Sequence, residues 1–128
     1  MKIVKRVGLG IVLLPVILIC LYIVFEIVGM CVNHISTGRQ TALLEKQLSA
    51  EINDIDISNK YSWTGNTGNG NHVDRVSEIT FSSDMSEEDI RNCMTDNYEY
   101  FELDTEDNGN YTFRLVTSAP FADNIEGH

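Results

Sequence analysis

Spaced metal and redox ligands are missing from this chain of 128 residues. Its three cysteines, Cys20, Cys31 and Cys93, form no C-x-x-C pair, and its three histidines stand at positions 34, 72 and 128. Neither pattern offers the ligand spacing of a zinc site, so no metal or other cofactor is expected. The cysteines do not make a disulfide framework either. Cys20 lies inside an apolar run, and Cys31 and Cys93 can meet only if the rest of the chain folds back on that run. Proline is scarce, with Pro15 inside the same run and Pro120 near the C-terminus.

Positive charge is scarce too. Nine Lys and Arg face 19 Asp and Glu, a net charge of −10. Residues 1–32 hold three bases and one acid, which leaves −12 on the remainder. Nucleic-acid binding needs clustered Lys and Arg to neutralise phosphates, so that class is excluded. A solvated, soluble surface is the ordinary meaning of such a charge. A basic partner or a cation is the functional alternative.

Catalytic signatures are also absent. No G-x-S-x-G elbow occurs, and carboxylates are too abundant for any one pair to be informative. Gly65, Gly68 and Gly70 fit neither G-x-G-x-x-G nor G-x-x-x-x-G-K-[ST]. The segment Asp104 to Gly109 imitates the start of a calcium loop. Its twelfth position is Leu115, where a bidentate Glu is required, and the flanks read as strands. An acidic hairpin turn explains it better, with a surface contact at Asp104, Glu106 and Asp107 as what remains of the calcium idea. The chain is not expected to be an enzyme; a small hydrolase is the remote alternative.

What is present is a long apolar run. Val7 to Val32 is 26 residues with one charge, Glu26. A bilayer core about 30 Å thick needs about 20 apolar helical residues. Lys2, Lys5 and Arg6 precede the run and Asn33 to Gly38 carries no formal charge, so the flanks predict N-terminus in and C-terminus out. A cleaved signal peptide would have a shorter apolar region ending at a small-x-small site. Gly29-Met30-Cys31 is a poor match, and an uncleaved anchor is preferred. A pilin-type leader would place Glu fifth after a cleavage Gly, but Leu13 follows Gly8 at that distance and Pro15 follows Gly10. Glu26 lies near the outer end of the run. An interfacial carboxylate is the favoured reading, ahead of a contact with a membrane partner.

The expected organisation is a basic cytoplasmic N-terminus over 1–6, a transmembrane signal-anchor helix over 7–32, a linker over 33–38 and an acidic domain over 39–128 on the outer side. Thr37 and Gln40 have the spacing of a capping box, opening a helix from Arg39 to Ile52. Leu44, Leu48 and Ile52 make its apolar stripe, widened by Leu43. Residues 55–63 alternate, with Ile55, Ile57, Tyr61 and Trp63 on one face of a half-buried strand. Thr64 to His72 is a loop, and Val73 to Ser82 a second strand. Val76 breaks its alternation, which calls for a bulge or a two-sided environment. Ser86 caps a short helix that carries Ile90, Cys93 and Met94 inward and ends by Asn97. Tyr98 to Asp104 is a third strand, with Tyr98 and Tyr100 opposite Phe101 and Leu103. Asn108-Gly109 marks a hairpin, and Tyr111, Phe113 and Leu115 alternate along a fourth strand.

The fold class is therefore α+β: one N-terminal transmembrane helix, then a two-layer domain in the order helix-strand-strand-helix-strand-strand with an antiparallel sheet. The expected function is that of a non-catalytic protein-interaction module. The protein would be integral to the cell membrane by one span, with a partner in the membrane or envelope. An extracytoplasmic sensor using the 64–72 loop as its mouth is the alternative. Contact residues are expected at Glu26 in the run, at Asn69, Asn71 and His72 in the loop, and at Tyr98 and Tyr100 on a strand face. Oligomeric state and the identity of any partner are not legible.

Overall fold

The structure, a computed structural model, describes residues 2–68, 70–106 and 109–127. One α-helix, α1 (Lys2–Glu51), runs unbroken from the basic leader into the domain. At 1.5 Å per residue its 50 residues extend about 75 Å. Beyond it come β1 (Asp56–Gly65), β2 (Asp74–Ser82), α2 (Glu87–Thr95), β3 (Glu102–Glu106) and β4 (Asn110–Ser118). The expected α+β order is found, with an antiparallel sheet in the spatial order β1-β2-β4-β3.

The expected linker over 33–38 is not there, because those residues are helical. A glycine inside a helix costs about 1 kcal/mol relative to alanine. Around Gly38 that cost is offset by Thr37 and Thr41, both buried where α1 lies on the sheet. The capping box is absent for the same reason. Thr37 donates to the carbonyl of Asn33 one turn back, at 3.0 Å, and meets the hydroxyl of Thr64 at 2.6 Å. Gln40 reaches the sheet instead, donating to the Arg75 carbonyl and to Ser77 Oγ.

Both helices lie on one face of the sheet. Leu44, Leu48 and Ile52 meet Ile79 and Phe81 from β2, Leu103 from β3, Tyr111, Phe113 and Leu115 from β4, and Ile90 and Met94 from α2 in one core. Leu43 is 54% exposed and does not widen the stripe as expected. The Ser86 cap forms as read, its side chain accepting from the Asp89 amide at 3.2 Å. Ser86→Ala should destabilise the domain by about 1 kcal/mol, visible as a lower urea midpoint at unchanged slope. Cys93 is partly buried on this helix, its thiol pushed up by burial and by the Glu51 carboxylate.

Two strand faces differ from expectation. The register of β1 against β2 shifts between Ile57 and Asn59, so the bulge lies in β1 and not at Val76. It turns over every side chain beyond it. Ile57 shares the core face with Phe81. Past the bulge, Lys60, Ser62 and Thr64 point at α1, where Lys60 pairs with Glu45 at 3.0 Å. Tyr61 and Trp63 are left on the open face, 49% and 38% exposed. Val76 belongs to that open face, between Trp63 and Val116 in the register, and is nevertheless buried. Its broken alternation reflects a two-sided environment. The third strand starts later than expected, at Glu102. Tyr98 and Phe101 both pack toward Phe113, at ring-centroid distances of 6.1 and 4.7 Å, and Tyr100 alone turns to solvent at 77% exposure.

Glu87, in the first turn of α2, has a carboxyl held below its ordinary range by the Thr105 hydroxyl and then by Arg91. A depressed carboxyl stabilises the fold above its unfolded value and loses that contribution as pH falls through the folded one. Thr105→Val should therefore move the Glu87 titration upward in a carboxyl NMR titration.

Candidate functional site

The segment after β4 returns along α1 and docks on it. The contact is built on one helix face, Glu26, Gly29 and Asn33, which continues upward as Thr37, Thr41, Leu44 and Leu48 at three- and four-residue spacing. Asn33 is fully buried. Its amide donates to the Phe121 carbonyl at 2.7 Å and to Asp123 Oδ2 at 2.9 Å, and its Oδ1 accepts from the Phe121 amide at 3.0 Å. Asp123 also accepts from the amides of Ile125 and Glu126, which turns the segment inward. Phe121 seats over Gly29 and meets Phe25 edge-on, with centroids 4.9 Å apart. A Cβ at position 29 would overlap the ring, so Gly29→Leu should expel Phe121 and make the segment a substrate for limited proteolysis.

Glu26 is the foot of this contact. It is buried at 4% exposure and holds Asn124 twice, through the backbone amide at 2.7 Å and the side-chain amide at 3.0 Å. Asn124 also donates to the Tyr22 hydroxyl at 2.9 Å. Higher up, His34 meets Glu126 at 2.7 Å. The one charge of the apolar run is thus engaged inside its own chain.

The glycine- and asparagine-rich loop is tied to the same segment. Asn66 donates to the carbonyls of Gly70 and Gly127, each at 2.8 Å. His72 Nε2 lies 3.0 Å from Oδ1 of the buried Asp74, whose other oxygen accepts from Thr67. Histidine and threonine share one carboxylate, an arrangement that fastens the loop. Asn71 is exposed beside them, and Asn69 lies outside the described residues. Of the two expected tyrosine contacts, Tyr98 is partly buried and hydrogen-bonded to Gln47, and burial pushes its phenol up. Tyr100 lines a hollow of about 480 Å³ with Arg91, Glu102 and Arg114. Its cations are neutralised, Arg91 by Glu87 and Arg114 by Glu78 and Glu102. Asp104 and Glu106 share the open face of β3, Asp107 and Asn108 lie outside the described residues, and no metal-binding cluster occurs among the described residues.

The structure does not bring the expected contact residues together. Glu26, the loop and the two tyrosines sit at separate places. Sequence reasoning missed Gly29, Asn33 and Asn124. The available signal was that positions 26, 29, 33, 37, 41, 44 and 48 form one helical row in which only the last two are apolar. No protein family model, curated protein or solved structure matches this chain.

Proposed function

We propose that this chain is a single-pass membrane protein, N-terminus in and C-terminus out, whose acidic domain is a non-catalytic interaction module. One observation carries the reading: above the level of Glu26, α1 displays Val28, Val32 and Ile35 at 55%, 44% and 58% exposure, uncovered by its own domain. These positions share one face by their spacing.

The lower helix supports the membrane part. It is long and apolar enough to cross a bilayer, and almost none of its apolar window is buried in the protein. Of the run expected to span over 7–32, Val7 to Phe25 are 19 residues, about 28 Å of helix and close to the thickness of a hydrocarbon core, so this reading ends the span at Phe25, ahead of Glu26. The polar cluster of Tyr22, Glu26 and Asn124 then falls at the outer interface, and the uncovered valines and isoleucine stand just above it. A helix of a second membrane protein is the partner such a row suits. The continuous helix and the docked C-terminal segment fix that row against the domain, so the domain is a rigid extension of the anchor.

Photo-crosslinking in native membranes tests this. A crosslinker at Val32 or Ile35 should capture one discrete partner, and one at Tyr61 on the open sheet face should not. Absence of capture at 32 and 35 in intact membranes overturns the interaction reading. Orientation is checked separately: Cys31 is exposed and should react with an impermeant maleimide in right-side-out vesicles but not in inverted ones.

A further inference from the structure

The acidic domain keeps a cationic notch. Six bases lie beyond residue 32. Among the described residues Lys60, Arg91 and Arg114 are paired with carboxylates, and Arg39, Lys46 and Arg75 are not. Arg39 and Arg75 line the same groove, a hollow of about 300 Å³ between α1 and the sheet. The groove exists because the helix layer is incomplete. β3 pairs with β4 only from Asn110 to Arg114, and α2 contacts β3, so Leu115 and Thr117 at the far end of β4 have α1 on one side and no second helix on the other.

The lining is amphipathic. Arg39 and Arg75 come with Ser36 and Thr117 hydroxyls, and with Leu43, Tyr98 and Leu115. Arg75 is held in place by an Nη1 bond to Ser36 at 2.7 Å, yet its buried Nε has no hydrogen-bond partner. A buried donor without a partner costs stability, more so on a charged group. In a domain carrying −12, two guanidinium groups without carboxylates at one hollow mark the place where an anion is favoured locally.

We propose that this groove binds an oxyanion borne on a short apolar chain, the head on Arg39 and Arg75 and the chain on Leu43, Tyr98 and Leu115. Guanidinium suits carboxylate and phosphate oxygens alike, through paired N–H donors. The site lies in the folded domain and stands independently of the proposed membrane partner.

Full-length protein in phosphatidylcholine nanodiscs provides the test, with two sources of the same chemistry. Octanoate is titrated in one arm, with octanol as the uncharged control. In the other arm octyl phosphate, the same chain with a phosphate head, is titrated. Octanoate, and not octanol, should raise the melting temperature, and Arg39→Gln should raise the octanoate concentration needed for the same rise by about tenfold or more, the loss of one charge-assisted contact. Arg39 is exposed and its side chain makes no hydrogen bond among the described residues, so this variant should fold. Arg75→Gln, which also loses the Ser36 bond, is the second variant. A rise only with octyl phosphate, abolished by Arg39→Gln, supports the site and identifies its preferred head as a phosphate. No rise in either arm, or one unchanged in Arg39→Gln, overturns the proposal. Failure to enter nanodiscs would count against the membrane reading, and the octanoate arm then runs in neutral detergent.

Discussion

Replacing Asn33 by alanine should release the whole C-terminal segment from α1. Three hydrogen bonds disappear at once, and the amide and carbonyl of Phe121 and the carboxylate of Asp123 each lose a partner. Because Asn33 is fully buried, water replaces those bonds only if the segment lifts away. A buried polar group left unsatisfied costs about 1–3 kcal/mol, so undocking is the cheaper outcome. The measurement is amide hydrogen exchange at Phe121 and Asn124. Both should exchange faster by about 30-fold or more, the equivalent of about 2 kcal/mol. Asn124 is bonded to Glu26 and not to Asn33, so its amide reports whether the segment moves as one unit. Protection at Asn124 unchanged in Asn33→Ala would mean that two independent contacts exist there. Glu26→Gln should act more weakly, since one of its two acceptor oxygens survives.

Phe113→Ala should produce the largest loss of stability in the domain, about 3–5 kcal/mol. Phe113 is fully buried, stacks on Phe101 and faces Tyr98. It therefore joins the sheet to the turn after α2, and a cavity there cannot close without moving both. Thermal unfolding of the full chain should begin at a midpoint lower by roughly 15 °C or more. Leu43→Ala is the internal comparison. That side chain is more than half exposed, and its change should stay within about 0.5 kcal/mol. A similar loss in both variants would contradict a core centred on Phe113.

Local signals in the sequence led to several parts of the fold. The Ser86 cap, the Ile90 and Met94 stripe and the β3–β4 hairpin each depend on residues within a few positions of one another, and each was readable. The face of β1 beyond Ile57 was not, because one inserted residue inverts every later side chain and nothing in the alternation of residues 55–63 marks where it sits. The late start of β3 was missed for a related reason. Residues 98–103 alternate in sequence, yet Tyr98 and Phe101 are both drawn to Phe113 from a turn.

The sequence by itself determined the apolar run with its basic leader, the acidic character of the domain beyond it and the order of the elements. These depend on composition and short-range periodicity, which survive in any reading of the chain. Only the tertiary structure decided that the helix does not break at Gly38, that Glu26 serves its own C-terminal segment, and that Arg39 and Arg75 face one groove. The docking of Phe121 on Asn33 joins residues 88 positions apart, and it is made by polar groups. Hydrogen bonds between such groups are specified by geometry at closure, and no hydrophobic period records them in advance.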